Sequence, residues 1–386
     1  MLTFKKAILP QGFKAAGVAS GVKRNAKLDL ALFYSELPAR AGCEFTSNSI
    51  AAAPVLLCRK YLKYNSAFRA VIANSGNANC FTGAQGIRQA QEMTEETACF
   101  LAVKPQEILV ASTGVINRKL PIDKIKKAIP ALARGLSASG IDKAKKAIMT
   151  TDTFAKEFTV RVKIAGRMIT ICGIAKGAGM IAPNMTAPAQ TRCATMLAFI
   201  FTDADISQPA LDEALDSAVA GSFNCITVDG CMSTNDSVFV LANGAAGNTP
   251  IGSGSNLVFF EKALSRVCLE LSKMIVKDAE GATKFITVKV VRARNSQEAR
   301  TVALSIANSN LFKTAVFGEN PNFGRIMAAV GASGVCVKEN DLKIKVSPLK
   351  RKEISVLVAI GRGKGEAAVY TSDLTPEYIR INAEYN

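Results

Sequence analysis

Two short stretches of the chain carry side chains suited to acyl chemistry. In ASTGV (111–115) the hydroxyl of Thr113 stands beside the N–H of Gly114, a pair of donors of the kind that can hold a tetrahedral oxyanion. In KGAGM (176–180) Lys176 offers an ammonium among glycines, without the GxxxxGK[ST] spacing of a phosphate loop. The chain has no histidine. That removes Ser-His-Asp and Cys-His nucleophile systems, HExxH zinc sites and imidazole as a general base. A base working near neutral pH must then be a carboxylate, a lysine of lowered pKa, or an α-amine, whose reference pKa of about 7.7–8.0 suits the task.

The elements that must position these groups alternate between strand and helix patterns. EILVAS (107–112) reads as a buried strand, and FTVRVKIAGRMITICG (158–173) as a hairpin turning at Ala165-Gly166. TMLAFIFTDA (195–204) has the unbroken apolar run of a central strand, and DSVFVLANG (236–244) reads as another. Helices are expected over 207–223, with Ser207 as N-cap and Pro209 in the first turn, and over 256–278. From Lys284 onward the pattern is a smaller α+β unit: strand 284–293, helix 296–309, then strands near 335–338 and 354–361. Segregated strands with helices outside predict an α+β fold, a layered αββα-type sandwich with a smaller C-terminal α+β domain. The divisions expected are 1–194 and 195–285 for the sandwich and 286–386 for the smaller domain. Glycine-rich and polar loops follow several strands, among them NSGNANCFTG (74–83), TTDT (150–153), VDGCMSTND (228–236) and EGATKF (280–285).

Composition limits the rest. The 386 residues are 49% apolar and 20% charged, as in a folded protein, and no run reaches the length of a membrane helix. The start, MLTFKKAILPQGFKAAG, shows no secretory pattern, so the cytoplasm is the expected compartment. Ten cysteines stand singly, with no CxxC pair, and read as reduced core residues rather than a disulfide or zinc framework. The net charge of +17 raises the alternative of nucleic-acid binding. The basic residues lie along helical faces without interleaved aromatics, however, which favours a solvated surface that attracts anionic substrates.

Taken together, GFKAAGVASGVK (12–23), AAAPVLLCRKYL (51–62), the loops above, VFGENPNFGRIMAAVG (316–331) and the terminal YIRINAEYN resemble bacterial ornithine acetyltransferase, the bifunctional glutamate N-acetyltransferase of arginine biosynthesis, almost end to end. The resemblance implies self-cleavage before the threonine of ATML, here between Ala194 and Thr195. It also implies that the freed Thr195 is the nucleophile with its own α-amine as base. It assigns Thr113 and Gly114 to the oxyanion hole, and Thr153, Lys176, Thr195, Glu280 and Asn382 to substrate contacts. Lys176 suits a substrate carboxylate and Glu280 a substrate ammonium. Acetylornithine and glutamate are the implied substrates, with acetyl-CoA left open as a further donor. No metal, organic cofactor, nucleic acid or membrane is implied, and an α2β2 assembly of the chain's own fragments is.

Two departures from the family pattern stand out. TAPAQTRC (186–193) interrupts the usual PNMATML, so Lys176 and Thr195 are 19 positions apart, eight more than in the uninterrupted motif. The family also has a hydroxyl residue just past INAEY, where this sequence stops at Asn386. Plainer readings stand beside these roles: Thr195 as an ordinary β-former, Lys176 as a solvated loop lysine, Thr113 as a turn cap, Glu280 as a surface carboxylate. Thr186 and Cys193 are the rival nucleophiles. The rival functions are a self-processing amidase or aminopeptidase and an unprocessed homologue disabled by the insertion.

Overall fold

The computed structural model describes residues 1–24, 26–185 and 196–384, so Thr186, Cys193, Ala194 and Thr195 lie outside the described residues. The chain divides into two compact units. The first comprises 1–177, 183–223 and 232–271, and the second 178–182, 224–231 and 272–386.

The strands of the first unit are β1 (Leu2–Phe4), β2 (Phe13–Val18), β3 (Leu30–Phe45), β4 (Phe68–Asn77), β5 (Ile108–Val115), β6 (Lys156–Ile164), β7 (Arg167–Lys176), β8 (Leu197–Thr202) and β9 (Ser237–Ala242). Its helices are α1 (Ala53–Tyr64), α2 (Gly83–Leu101), α3 (Ile122–Arg134), α4 (Ile141–Ala147), α5 (Gln208–Ala220) and most of α6 (Gly254–Lys277). The strand order is β1-β6-β7-β8-β9-β3-β4-β5, with β2 also beside β3. The long β3 makes two layers out of this path. Its residues 30–34 pair with β4, its residues 40–45 pair with β9, and the register shifts between Tyr34 and Ala39. Strands that bend in this way form the corners of sandwiches. Across the layers the ring of Phe33 lies 4.9 Å from Phe199 and 5.2 Å from Phe201, and Phe13 lies 5.3 Å from Phe201.

Helices close both outer faces. Leu211 and Leu215 of α5 cover Gly42 of β3, and Val267 and Leu271 of α6 cover Gly173 of β7. On the other face a Cβ at Gly17 of β2 would meet the backbone of Lys143 in α4 at 2.6 Å. α3 shows how sequence selects such a helix: Ile122, Ile125, Ile129 and Leu132 recur at helical spacing and are buried, while its lysines stand outside. The expected αββα layering is therefore present.

The second unit is a four-stranded sheet, ordered β11-β12-β10-β13, of β10 (Phe285–Ala293), β11 (Lys343–Val346), β12 (Glu353–Ala359) and β13 (Gly365–Ser372). Only β10 and β12 run parallel. Helices α7 (Ser296–Ala307), α8 (Asn310–Phe317), α9 (Gly324–Gly331) and α10 (Pro376–Glu384) complete it, and Ile286, Val288, Val302, Ile306, Phe312 and Val356 share its core. α7 starts at Asn295, whose side chain accepts from the Glu298 N–H.

Most expected elements form near their expected bounds. The β6–β7 hairpin turns at Ala165 (φ 48°) and Gly166 (φ 79°), the left-handed pair that matches strand twist. Three expectations need correction. Residues 335–338 are not a strand; the short strand lies at 343–346, where β12 offers it a partner. Ser207 occupies the N-cap of α5, but its side chain makes no capping bond. Cys99, Cys231 and Cys336 are exposed, not core; the other six cysteines among the described residues are buried.

Candidate active site

The end of β5 is built around a backbone irregularity. β4 and β5 run parallel, and the register shifts at Asn77, which pairs with both Thr113 and Val115. Gly114 there has φ +132°, and a Cβ on it would lie 2.5 Å from the Asn77 nitrogen and closer still to the Gly76 carbonyl carbon. Only glycine fits so close a backbone approach. Thr113 beside it is 1% exposed, in a strand rather than capping a turn. Asn235 clamps this segment, donating from Nδ2 to Ser112 O (2.8 Å) and Ala78 O (2.6 Å). The Ser112 hydroxyl donates to Asn74 Oδ1 at 2.6 Å. Because a trans peptide opposes its C=O and N–H, a tether on Ser112 O fixes where the Thr113 N–H points.

A buried charge cluster lies at the end of β7. Lys176 is the last residue of that strand and 4% exposed, so the solvated-loop reading does not apply. It donates to Thr150 Oγ1 at 2.7 Å, and its Nζ lies 3.9 Å from Asp152 Oδ2. The Asp152 side chain is fully buried and accepts from Lys156 Nζ (2.6 Å), the Gly177 N–H (2.7 Å) and the Thr150 N–H (2.9 Å). Burial alone would raise its pKa, but the Lys176 and Lys156 ammoniums and the Gly177 N–H outweigh that and hold it well below the usual carboxylate range. Thr153 follows directly, exposed in a bend.

Lys23 connects this cluster to the β4–β5 end. Its Nζ donates to Met149 O (2.6 Å) and Leu28 O (3.0 Å), and its N–H to Asp29 Oδ2 (2.9 Å). Its Cγ lies 3.0 Å from where a Gly76 Cβ would stand. Burial brings its pKa down to about 8, with Lys176 pushing the same way against Asp29 and Asp152. Across the sheet, Lys176 pairs with Leu197, two positions after Thr195.

In the second unit Glu280 and Asn382 meet. The Asn382 Nδ2 donates to Glu280 Oε2 at 2.9 Å, and the Glu280 N–H donates to Ala178 O at 3.0 Å. Glu280 is half-buried, and a Cβ on Gly179 would lie 2.6 Å from its Oε1. Asp229 ties the same region, accepting from the Met180 N–H (2.7 Å), the Ile181 N–H (3.0 Å) and the Tyr378 hydroxyl (3.1 Å). That phenol is pushed up, first by its burial and then by the Asp229 charge.

Of the residues singled out from sequence, Lys176 lies within reach of the TTDT loop that carries Thr153, and Thr113 and Gly114 lie together on β5. Lys23, Asp152, Lys156, Asn235 and Asp229 escaped sequence reading as individuals. Four of the five sit inside stretches quoted above (GFKAAGVASGVK, TTDT and VDGCMSTND), where only the pattern as a whole was informative.

The model of the ArgJ family matches residues 14–386. The arginine biosynthesis bifunctional protein ArgJ of Caldanaerobacter subterraneus subsp. tengcongensis is 44% identical over 405 residues, covering 98% of this chain and 98% of that protein. The Geobacter sulfurreducens protein of the same name is 44% identical over 398 residues, covering 97% and 99%. A glutamate N-acetyltransferase of Methanocaldococcus jannaschii is 44% identical over 408 residues, covering 97% of each. With a match that runs from strand β2 to the last residue, this chain belongs to the ArgJ family.

Proposed function

We propose that the chain transfers acetyl from N2-acetylornithine to glutamate, in a ping-pong sequence through acetyl-Thr195, after cleaving itself between Ala194 and Thr195. Membership of a family of arginine-biosynthetic acyltransferases makes it an enzyme of that class. The finer reading is supported above all by the register that puts Leu197 opposite Lys176, at the end of the sheet where the buried cations gather.

In this reading the Thr195 hydroxyl attacks the acetyl carbonyl of the donor while its α-amine takes the hydroxyl proton. Negative charge develops on the carbonyl oxygen, where Thr113 and Gly114 supply the donors. Collapse breaks the amide bond. Ornithine leaves as its amine, taking the proton from the α-ammonium, and an acetyl ester remains on Thr195. Glutamate then attacks that ester through its own amine, which gives a proton to the Thr195 α-amine. The ester bond breaks, the proton returns to the threonine oxygen, and N-acetylglutamate departs. Lys176 takes the substrate carboxylate, Glu280 the substrate ammonium, and Thr153 and Asn382 make further contacts. The absence of histidine is consistent with this route, since an α-amine supplies the base.

The test is intact mass and N-terminal sequencing of active enzyme, with turnover measured with and without glutamate. Two fragments, the second beginning Thr-Met-Leu-Ala, and acetyl release that depends on glutamate are expected. A second fragment beginning at Thr186, or full activity in an uncut chain, sinks the assignment of Thr195. Release that proceeds equally without glutamate makes the enzyme an amidase instead. The α2β2 assembly and the cytoplasmic location belong to the same proposal; among the described residues no helix is long and apolar enough to cross a membrane.

A further inference from the structure

We propose that Asn235 is a positioning residue of the acetyl-transfer reaction: its carboxamide holds the end of β5, with Thr113 and Gly114, in fixed register with the start of β8, the strand that Thr195 precedes. The inference rests on the reading of Thr113 and Gly114 as the oxyanion donors and of Thr195 as the nucleophile.

Three observations carry it. First, the amide lies where the strand pairing is irregular. The β4–β5 register shifts at Asn77, and beside that shift Asn235 Nδ2 donates to Ala78 O, just past β4 (2.6 Å), and to Ser112 O, within β5 (2.8 Å). One side chain therefore spans the two strand ends where the ladder is disrupted. The Ser112 carbonyl belongs to the peptide that carries the Thr113 N–H, so its tether also fixes the backbone from which the Thr113 hydroxyl projects. Second, the amide has a single orientation. Its Oδ1 accepts from the Thr234 hydroxyl at 2.7 Å while its nitrogen faces two carbonyl oxygens, which excludes the flipped form. The Asn235 N–H donates to Ser233 Oγ (3.2 Å), its C=O accepts from the Ser237 hydroxyl (2.9 Å), and the residue is buried. Third, the same short segment grips β8. The Ser237 N–H donates to Met196 O at 2.9 Å, and Ser237 pairs with Leu197 in the parallel β8–β9 ladder. Sheet pairing by itself links β8 to β5 only through β9, β3 and β4. Asn235 and Ser237 replace that long path with two tethers, one on β5 and one on the residue that follows Thr195. Acyl transfer needs so short a link, because an error of about 1 Å between nucleophile and oxyanion donors costs about 10²-fold in rate.

A purely structural Asn235 would satisfy two buried carbonyls and nothing more. The two roles separate in variants of the full-length enzyme, assayed for KM and kcat with acetylornithine and glutamate, normalised to folded protein and set beside thermal melts. Asn235→Leu keeps the branching of the side chain and removes the donors. Asn243→Leu is the comparison: Asn243 lies just past the other end of β9, is likewise buried, and donates from Nδ2 to Gln11 O at 3.0 Å. Positioning predicts that both variants melt at lower temperature but that only Asn235→Leu loses turnover, by about 10²-fold in kcat with KM near the wild-type value. Thr234→Val keeps the amide and removes the hydroxyl that orients it. It should lose about tenfold in kcat, and it decides the question if Asn235→Leu does not fold. Normal kcat in the folded variant, a raised KM with normal kcat, or an equal fall of kcat in Asn243→Leu overturns the proposal. Thr113→Ala and Thr195→Ala are the separate controls. Normal kcat in either removes the reading of that residue itself, whereas slow turnover in both beside a normal Asn235→Leu removes only the role of Asn235.

Discussion

Gly114→Ala is the most direct probe of the β5 end. The added methyl would stand 2.5 Å from the Asn77 nitrogen, closer still to the Gly76 carbonyl carbon, and so against backbone that cannot rotate away. The residue also holds φ +132°, a conformation essentially reserved for glycine. Strain of that kind costs about 1–3 kcal/mol, and overpacking adds about 1–3 kcal/mol. A total of about 2–6 kcal/mol is a large share of a stability of 5–15 kcal/mol, so part of it should be relieved by moving β4 and β5 apart. A melting temperature lower by about 5–20 °C is expected at 2–4 °C per kcal/mol. If Thr113 and Gly114 are the oxyanion donors proposed above, movement of even an ångström displaces them, and kcat should fall about 10²–10³-fold in the surviving folded fraction. Gly83→Ala and Gly166→Ala are the comparison. Both glycines have positive φ, but a Cβ on either meets nothing within 4 Å. They should lose about 1–2 kcal/mol of stability and no turnover. The assay is acetyl transfer at saturating substrate, normalised to folded protein by thermal melts. A Gly114→Ala enzyme with lowered melting temperature and normal kcat would remove Gly114 from the oxyanion role, and normal values of both would refute the geometry.

Gly179→Ala should raise KM for acetylornithine with little change in kcat, because the methyl would meet the Glu280 carboxylate and displace it from Asn382; equal KM values would count against a role for that pair. Glu44 is raised to about 9, first by burial and then by the charge of Asp216 and a hydrogen bond with it. The unfolded chain releases that proton at about pH 4.3, so the stability it contributes is present below that pH and lost as pH rises towards 9. Glu44→Gln should therefore gain melting temperature over the wild type at pH 8.5 and little at pH 5, and a pH-independent difference would contradict the burial argument. Deleting Thr186–Cys193 restores PNMATML and costs little in chain closure. The deletion should cleave and turn over at least as well, unless kinetics show a sharp rise in KM, which would make those eight residues part of this protein's own site.

Which parts of this were legible in the sequence follows from how far apart the partners lie. α3, α6, β8 and the β6–β7 hairpin are decided by neighbours within a few residues, and periodicity or turn chemistry finds them. The strand expected at 335–338 failed for the opposite reason. Val335-Cys336-Val337-Lys338 and Lys343-Ile344-Lys345-Val346 both alternate, and only pairing with β12, with Val346 opposite Val356, selects the second. Gly114 was legible as a glycine beside a threonine, but the approach of Gly76 that forbids any other residue comes from the parallel pairing of β4 and β5. The Asp152 cluster occupies an intermediate position. Its members at 152, 156 and 176 are dispersed in sequence, and no local pattern marks them as a group. A hairpin turning at Ala165-Gly166 nevertheless fixes its own register, and that register sets Lys156 opposite Ala175. Lys176 must then lie beside the residues that precede Lys156, and the nearest carboxylate on that side of Lys156 is Asp152 of TTDT. The turn was identifiable from sequence, and the charged triad is a consequence of extending it ten residues forward to Lys176 and thirteen back to Asp152.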